Sequence, residues 1–446
     1  MFRVKPGFLF SHKKALLYFT GIVSFLIFCF PGLSSGRIYI DINAPSIPKF
    51  KIAIPDFKRI GGDSGHPELG NELLKVMSND LELSGYFSPI DKGAFLEEKD
   101  APLTGDKINF KDWSVIGAEL LLKVGYSCMG SRLQVELRLY DVFWGKQILG
   151  KRALGDIAGH RHLMHKLSDE IILKLTNYNG ISLTKLAYVG DGTGQKEIYT
   201  CDYDGYNIQA VTSDKSIAML PRWSPDGKKL AYNSYKQGGA ELYLKDMASG
   251  VTKRLSRRSG LNIGAGWSPG GEELALTLSD QGNSDIYVIS LEGQILKRLT
   301  DHWGIDVSPS YSPDGKKLAF VSNRSGSPQV YILTIEDGKV ERLTFEGKYN
   351  TSPCWSSLNR IAYTSMNENG SFEICTIDPN GGAVRVLTGD GWNDEDPRWS
   401  PDGRYIAFSS NRTGSYHIYI MNLSGQNQSR ITFQKGNQTS PSWAPE

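Results

Sequence analysis

The stretch that decides the fold reads PRWSPDGKKLAY and occupies residues 221–232. It returns at residues 308–320 as SPSYSPDGKKLAF and at residues 396–403 as DPRWSPDG, with degraded copies at residues 266–271 and 353–357. Self-similarity at this period predicts a repeat protein, because about 40–45 residues make one four-stranded blade of a β-propeller. The aromatic residue of the motif recurs at a constant step of 44 positions, at Trp223, Trp267, Tyr311, Trp355, Trp399 and Trp443.

Each repeat predicts a meander of four short strands. In one well-preserved copy Tyr311 ends the first strand, and residues 312–315 have the composition of a type I turn, in which proline presets φ and glycine relaxes the end. Residues 318–320 begin a second strand, residues 329–333 form a third, and the outer strand ends at residues 342–344. The aspartates of the Ser-Pro-Asp-Gly turns are therefore expected to shape turns at the rim and not to act as ligands or acids.

The two ends of the repeat region predict how the ring closes. The first unit begins at residues 186–188 without a leading aromatic strand, and residues 441–446 form such a strand with no second strand after it. The last strand would complete the first blade and remove two open sheet edges. We therefore predict an all-β propeller of six blades over residues 181–446, closed by the C-terminal strand.

Residues 1–36 have the order of a secretory signal peptide. Basic residues such as Lys13 and Lys14 precede an apolar run over residues 15–30, and small residues then lead to a predicted cleavage between Gly36 and Arg37. An uncleaved membrane anchor is the alternative, but the run of about 16 residues is shorter than the roughly 20 that a spanning helix needs. The mature chain is expected to be exported, and no later run is apolar enough to insert into a membrane.

The charge balance argues against nucleic-acid binding. Removal of residues 1–36 takes away four basic residues and no acidic ones, so 46 Lys and Arg would face 48 Asp and Glu, a formal net charge of −2. A dedicated nucleic-acid binder needs a basic surface. Export permits disulfides, but the remaining cysteines are scattered, which favours buried thiols. They are Cys128, Cys201, Cys354 and Cys375.

Residues 37–180 carry no repeat and predict a separate α/β domain ahead of the propeller. Alternating apolar residues indicate strands, and apolar residues on one face indicate two amphipathic helices. A glycine-rich loop at residues 61–65 precedes the first helix. The expected strands are residues 37–42, 50–55, 120–126, 133–140 and 146–153, and the expected helices are residues 67–83 and 160–177.

Two motifs could indicate an enzyme. Residues 62–65 read Gly-Asp-Ser-Gly and resemble the nucleophile segment of chymotrypsin-like proteases, but the upstream histidine is His12, inside the predicted signal peptide. His160, His162 and His165 could suggest a metal site, yet only the last two would share a helix face and no nearby carboxylate completes the site. We therefore expect residues 62–65 to form a loop that caps a helix, and the three histidines to lie on a solvated helix face. We expect no metal, no cofactor and no enzymatic activity.

The segments that precede each leading strand differ between repeats although the scaffold is constant. They are expected to converge near the central channel, and their Trp, Tyr and acidic residues suit a protein or peptide partner. Ordinary solvent-exposed loops are the alternative, and the residues themselves leave both open. The candidate contact residues are His302, Asp306, Tyr349, Asn350, Trp392, Asp394 and Glu395.

An exported α/β domain followed by a six-bladed Trp-Ser-Pro-Asp-Gly propeller resembles the TolB family of the bacterial Tol–Pal envelope system. The resemblance covers the whole mature chain and includes KIAIPDF at residues 51–57 and DYDGYN at residues 202–207. It implies a non-enzymatic periplasmic protein that supports outer-membrane integrity and envelope constriction during cell division. It also implies two partners, namely the peptidoglycan-associated lipoprotein Pal at the propeller mouth and the C-terminal domain of TolA.

The resemblance implies that the N-terminal segment, residues 37–48, binds TolA, and its alternating start also suits strand addition to a partner's sheet. The candidate residues of the blade-entry loops would form the Pal site, although residues 261–264 and 306–308 carry no acid-rich match to the family. The competing class is a secreted propeller hydrolase or ligand-binding enzyme, which would need carboxylates or a metal converging in the channel. A monomer is expected. The predicted TolA strand consists of Arg37, Ile38, Tyr39, Ile40, Asp41 and Ile42.

Overall fold

The computed structural model describes residues 49–62, 65–96, 102–104, 107–279 and 282–446. The predicted cleavage site between Gly36 and Arg37, and the predicted strand that begins at Arg37, lie outside these residues. In the described part of the chain, no helix combines the length and the apolar character that crossing a membrane requires.

The N-terminal domain holds one mixed sheet and two long helices. Its strands are β1 (Phe50–Ala53), β2 (Lys58–Gly62), β3 (Phe87–Pro89), β4 (Leu120–Met129), β5 (Arg132–Asp141) and β6 (Lys146–Asp156), and its helices are α1 (Leu69–Leu83), α2 (Phe110–Val115) and α3 (His160–Thr176). The strand order is β3-β1-β4-β5-β6, and β2 also pairs with β4. Strand β1 runs parallel to β3 and β4, whereas β4, β5 and β6 form an antiparallel meander.

The predicted meander and both predicted helices are present, because their apolar periodicity matches the face each element buries. Helix α1 buries Leu73, Met77 and Leu81, and α3 ends at Asn177, which adopts a left-handed conformation with φ of 60°. Two short strands were not predicted. Strand β2 falls where a loop was expected, since its sequence KRIGG shows no alternation, and β3 has three residues.

Six four-stranded antiparallel sheets follow, as predicted. In hydrogen-bonding order, blade 1 contains β30 (Gln438–Ala444), β7 (Lys185–Gly190), β8 (Glu197–Asp202) and β9 (Gln209–Ala210); blade 2 contains β10 (Ala218–Trp223), β11 (Lys229–Ser234), β12 (Glu241–Asp246) and β13 (Thr252–Ser256); blade 3 contains β14 (Asn262–Trp267), β15 (Glu273–Leu278), β16 (Asp285–Ser290) and β17 (Ile295–Arg298). Blade 4 contains β18 (Asp306–Tyr311), β19 (Lys317–Ser322), β20 (Gln329–Thr334) and β21 (Val340–Arg342); blade 5 contains β22 (Asn350–Trp355), β23 (Ile361–Met366), β24 (Phe372–Ile377) and β25 (Arg385–Val386); blade 6 contains β26 (Asp394–Trp399), β27 (Tyr405–Thr413), β28 (Ser415–Asn422) and β29 (Ser429–Arg430).

The first strand of each blade faces the centre of the ring, because the first strands of consecutive blades contact one another all the way round. Each of these inner strands carries a register shift where it pairs with the second strand. One residue at each shift has a positive φ between 51° and 74°, which re-aims the chain toward the channel. These residues are Leu220, Gly264, Ser308, Ser352, Asp396 and Ser440.

The Ser-Pro-Asp-Gly segments are turns, as predicted. In blade 2 the Ser224 hydroxyl donates to Asp226 at 2.5 Å, and Asp226 also accepts from the backbone N–H of Lys228 at 3.1 Å. The N–H of Gly227 closes the turn on the Ser224 carbonyl, and Gly227 has a φ of 67°. Because each aspartate is used by its own turn, these carboxylates serve local structure.

Closure by the C-terminal strand is confirmed. Strand β30 pairs antiparallel with β7, with Trp443 opposite Leu186 and Ala444 opposite Lys185. Trp443 is buried between blades 1 and 6, in a cluster that includes Leu186 and Ile418. The repeated aromatic column fills the space between blades as expected, since Trp223, Trp355, Trp399 and Trp443 are all buried.

The N-terminal domain packs against the propeller on the side of the Ser-Pro-Asp-Gly turns. The hydroxyl of Tyr203, in the turn after β8, donates to Asp80 of α1 at 2.7 Å, and the hydroxyl of Tyr405, directly after such a turn, donates to the Ser84 carbonyl at 2.9 Å. Arg161 of α3 forms an ion pair with Asp204. These contacts attach the domain to blades 1 and 6.

The expectation of a solvated histidine face on α3 is wrong for His165. Its ring is 3% exposed, and Nδ1 lies 2.9 and 3.0 Å from the two carboxylate oxygens of Asp80. Burial disfavours the charged imidazolium, but the hydrogen bond and the charge of Asp80 outweigh it, so the pKa of His165 lies above its ordinary value. A carboxylate does reach this histidine, and it comes from α1.

Candidate functional site

The face of the propeller opposite the N-terminal domain is formed by two sets of loops. One set joins the outer strand of each blade to the inner strand of the next, and the other joins the second strand of each blade to the third. Both lie at the same end of the blade, since Asp306 at the start of β18 pairs with Ser322 at the end of β19. We call this surface the loop face and the first set the entry loops. The entry loops are residues 211–217, 257–261, 299–305, 343–349, 387–393 and 431–437.

Large apolar side chains are exposed on the entry loops. Among the described residues of the propeller, six aromatic side chains are counted as exposed, and five of them lie on these loops, with Trp303 and Phe345 at 72% and 73%. Large apolar side chains are usually buried in the core. Their concentration on one face of the described propeller therefore indicates an interaction surface. The exposed apolar residues of the entry loops are Ile217, Leu261, Trp303, Ile305, Phe345, Tyr349, Trp392 and Phe433.

Three of the predicted contact residues lie beneath this surface. Asp306, Asn350 and Asp394 are fully buried at the start of their inner strands, so their side chains do not face a partner. Asp306 accepts from Arg324 at 2.8 Å, and both oxygens of Asp394 accept from Arg412 at 3.1 Å. These ion pairs fix the segment that joins the second and third strands, including the end of β27 in blade 6, to the start of the inner strand.

Asn350 plays the same bracing role without a charge. Its Nδ2 donates to the Gln329 side chain at 2.8 Å and to the Glu346 carbonyl at 2.7 Å. Asp394, buried in the same position one blade later, has a pKa raised by that burial. The side chains of all three residues therefore support the loop face from below.

The other four predicted residues reach the surface and come from neighbouring blades. His302 lies against Trp303 with ring centroids 5.2 Å apart, and Tyr349 packs edge-on against Phe372 at 6.1 Å. Trp392 is half exposed. Glu395 accepts a 2.6 Å hydrogen bond from the Tyr416 hydroxyl, and partial burial raises the pKa of its carboxyl group. Trp303, Ile305, Phe345 and Phe433 were not predicted, although a large apolar residue in an otherwise polar loop is a signal that could have identified them.

The inner strands place acidic and basic groups at the central channel. Asp396 accepts hydrogen bonds from the hydroxyls of Ser352 at 2.8 Å and Ser440 at 3.0 Å, which ties three blades together. Burial and the charge of the neighbouring Arg398 lower the pKa of Arg222. Burial raises the pKa of the neighbouring Glu395 carboxyl group, and the charge of Asp396 adds to this effect.

One group of described residues has the chemistry of metal ligands. Atoms of Asp80, His165 and Asp204 lie within 4.8 Å of one another between α1, α3 and blade 1. The negative charges of the two carboxylates are already balanced, because His165 pairs with Asp80 and Arg161 pairs with Asp204. This group therefore works as an internal ion-pair network joining the two domains.

Comparison with known proteins agrees with this architecture. Residues 38–148 match the model of the TolB amino-terminal domain, and residues 172–446 match that of the TolB beta propeller domain. A Tol-Pal system protein TolB of Desulfosudis oleivorans is 41% identical over 51% of this chain and 51% of its own, and one of Syntrophotalea carbinolica is 40% identical over 43% and 44%. The chain thus spans about half the length of the curated relatives it matches.

A solved structure matches more of the chain. TolB from Acinetobacter baumannii superimposes with a TM-score of 0.79 at 28% identity, covering 92% of this chain and 100% of its own. The propeller model alone accounts for more than half of the residues, and the amino-terminal model accounts for most of the domain before it. The chain belongs to the TolB family.

Proposed function

We propose that this protein is a non-enzymatic, periplasmic interaction protein of the Tol–Pal system that uses two separate binding regions. The loop face of the propeller would bind the peptidoglycan-associated lipoprotein Pal, and residues 37–48 would bind the C-terminal domain of TolA. In this role the protein links the inner-membrane Tol complex to Pal, and so supports outer-membrane integrity and envelope constriction during division. The system assignment is supported by the relatives, which are named Tol-Pal system protein TolB.

The observation that carries the Pal proposal is the concentration of exposed aromatic side chains on the loop face. Aromatic residues at the centre of an interface supply much of its binding energy, because they bury a large area at a low cost in side-chain entropy. Tyr349 and Trp392 come from consecutive entry loops, and Glu395 adds a carboxylate at the start of β26. The described part of the N-terminal domain packs at the opposite end of the blades.

The test is calorimetric titration of the mature protein with the isolated soluble domain of Pal. Replacing Tyr349 and Trp392 with alanine and Glu395 with glutamine should weaken binding about thirtyfold or more, since losing a central anchor costs 2 kcal/mol or more. The matched control is Phe143→Ala, which removes an aromatic side chain that is 81% exposed on the N-terminal domain. An unchanged affinity in the triple variant would place the Pal site elsewhere.

A channel hydrolase is not favoured. The carboxylate of Asp396 accepts hydrogen bonds from Ser352 and Ser440, which supports a role in joining the inner strands of three blades. The signal peptide and the periplasmic location rest on residues 1–36 and belong to the same proposal. Mass spectrometry of the exported protein should find Arg37 at or near its N-terminus, and an intact Met1 would contradict it.

A further inference from the structure

Four blades place a basic side chain over the tyrosine of their third strand. A cation over an aromatic face is attracted by the ring's quadrupole and also shields the ring from water. The distances from the charged group to the ring centroid are 4.2 Å for Lys236 over Tyr243, 5.7 Å for Arg298 over Tyr287, 5.1 Å for Arg324 over Tyr331 and 4.7 Å for Arg412 over Tyr419.

The outer strand supplies an arginine opposite that tyrosine in the same four blades, namely Arg254, Arg298, Arg342 and Arg430. In blades 2 and 3 this arginine forms an ion pair with the first residue of the third strand. The pair is Arg254–Glu241 at 3.2 Å in blade 2 and Arg298–Asp285 at 2.7 Å in blade 3. In blade 3 the ring of Tyr287 and the carboxylate of Asp285 therefore hold the guanidinium group of Arg298 between them.

Blade 5 has a carboxylate where blades 2 and 3 have one, but it lacks the basic residues of those blades. Glu373 stands at the start of the third strand, as Glu241 and Asp285 do. The outer strand places Val386 opposite Cys375, where blades 2, 3, 4 and 6 place an arginine opposite tyrosine and blade 1 places Ala210 opposite Tyr199. Between the second and third strands, Glu368 takes the position that Arg324 has in blade 4 and Arg412 has in blade 6.

A cavity of about 620 Å³ lies at this place in blade 5. Tyr363 and Cys375, which pair across β23 and β24, form part of its lining together with apolar side chains. Three carboxylates and one basic residue also line it, so its charge is negative. The charged lining residues are Glu346, Glu368, Glu373 and Lys348, and the apolar ones include Met366, Val384 and Val386.

Residues from both sets of loop-face segments line the cavity, since Glu346 and Lys348 belong to an entry loop and Asn367 and Glu368 to the segment between the second and third strands. Glu346 directly follows Phe345 and precedes Tyr349 on the same entry loop, and Phe345 is 73% exposed. Glu373 accepts a 2.7 Å hydrogen bond from the Asn367 side chain, which holds its carboxylate at the cavity wall. A protein seated on the aromatic side chains of this loop could therefore place one long side chain into the cavity.

We propose that this cavity binds the guanidinium group of an arginine presented by the partner that docks on the loop face. The partner's arginine would take the place that the chain's own arginines take in blades 2, 3, 4 and 6. A planar guanidinium donates to two carboxylate oxygens at once, which a lysine ammonium does not do. The inference rests on the proposed function for the identity of the partner, and the chemistry of the cavity can be tested without it.

The direct test uses N-acetyl-L-arginine amide and its neutral isostere N-acetyl-L-citrulline amide. In protein labelled with ¹³C at the methionine methyl groups, the Met366 signal, assigned with Met366→Leu, reports on the cavity. Arginine amide should shift this signal saturably, whereas citrulline amide should not, and the signal of Met247 in blade 2 should stay in place. An equal response to both compounds, or a response only to the corresponding lysine amide, would overturn the proposal.

Two variants sharpen the test. Glu346→Gln combined with Glu373→Gln should weaken arginine amide about tenfold or more, the range for losing two partly exposed ion pairs. Val386→Arg restores the arginine of the other blades and should abolish the response, whereas Ala210→Arg, at the same strand position in blade 1, should leave it unchanged. A Val386→Arg protein that still binds arginine amide with unchanged affinity would overturn the proposal.

The partner is tested separately by titrating these variants with the Pal domain. Weaker Pal binding in Val386→Arg, with Ala210→Arg unaffected, supports the assignment of the arginine to Pal. Unchanged Pal binding in Val386→Arg, in a protein whose cavity binds arginine amide, overturns that assignment and leaves the proposed function intact. If Pal fails to bind the unmodified protein, the proposed function falls while the arginine titration still decides what the cavity binds.

Discussion

The indole Nε1 of Trp443 donates a 2.8 Å hydrogen bond to the hydroxyl of Thr184, which lies 259 residues earlier in the chain. Both groups are buried, so the bond satisfies two polar atoms that would otherwise lose water without compensation. It joins the last strand of the propeller to the segment that introduces the first. It therefore adds a buried side-chain contact to the β30–β7 ladder that closes the ring.

Trp443→Ala should lower the free energy of unfolding by about 3–5 kcal/mol, because it empties a buried aromatic site and leaves Thr184 without its donor. Truncation after Ser440 should cost at least as much. Denaturant unfolding followed by tryptophan fluorescence measures both changes. Trp303→Ala removes a tryptophan that is 72% exposed and serves as the control, with an expected change near zero. A truncated protein with unchanged stability would contradict closure by β30.

Arg412→Met should destabilise the propeller by about 3 kcal/mol, because it leaves the buried carboxylate of Asp394 without its cation. Adding Asp394→Asn should recover most of the loss, since blade 5 has Asn350 at the corresponding position and no arginine in the turn that follows its second strand. Chemical denaturation of the single and double variants gives the coupling energy. Additive losses in the double variant would show that the two side chains do not act as a pair.

His165 should make the contact between the domains sensitive to pH. It faces Asp80 on α1, Arg161 on α3, and Tyr203 and Asp204 in the turn after β8. Because the pKa of His165 is raised in the folded state, the stabilisation is fully present below the pKa of about 6.5 of an unfolded histidine and is lost as the pH rises through the folded value.

The difference in unfolding free energy between the unmodified protein and His165→Gln should therefore shrink as the pH rises from 6 to 9. Thermal unfolding at a series of pH values at constant ionic strength provides the measurement. Replacement of the exposed His162 with glutamine is the matched control on the same helix and should show no such trend. A difference that grows with pH would mean that His165 is neutral in the folded protein.

Ionisation of Asp169 should also lower the stability of the protein as the pH rises, although for a different reason. Burial raises the pKa of its carboxyl group from 3.8 to about 6, although it accepts a hydrogen bond from the Ser182 backbone at 3.2 Å. The folded protein favours the protonated acid, so stability is highest below pH 4 and falls until the pH passes about 6. Asp169→Asn should remove this dependence and gain about 1 kcal/mol or more at pH 7, since one pKa unit corresponds to about 1.4 kcal/mol. A loss of stability at pH 7 would contradict this sign.

The two proposed binding regions should be separable. Deleting residues 37–48 should abolish binding of the C-terminal domain of TolA and leave Pal binding at least intact, because the described propeller is built without that segment. Titration of the deleted protein with each partner makes the test, and the triple variant at Tyr349, Trp392 and Glu395 is the reciprocal control. Loss of both partners in either protein would show that the regions are misplaced.

Repetition explains why the fold could be predicted from one sequence. A single tryptophan at position 443 would not predict a buried site. Its recurrence at the same step as Trp223 and Trp399 does predict one, between two blades. The same comparison predicted the blade that lacks its first strand. Strand β2 could not be predicted in this way, because KRIGG has neither a repeat nor an alternation and is held by parallel pairing with β4.

The candidate site could be predicted only in outline. The variable loops were correctly placed at the strand starts, but Asp394 was taken for a surface residue because its cation, Arg412, arrives 18 positions later from another loop. A polar residue recurs at this step in Asn262, Asp306 and Asn350, and such recurrence indicates scaffold rather than a binding site. His165 was misjudged for a similar reason, since Asp80 lies 85 positions away on another helix.

The pairing of β30 with β7 also sets how the propeller responds to mechanical tension. The chain enters β7 at Lys185 and leaves β30 at Ala444, and these two residues face each other at the same end of the ladder. A pulling force between these two points would therefore load the hydrogen bonds one after another, as in the opening of a zipper, and the Trp443–Thr184 contact at that end would carry the load first. In a protein proposed to link the inner-membrane Tol complex to Pal, resistance to force should therefore depend on the direction of pulling as well as on the size of the force.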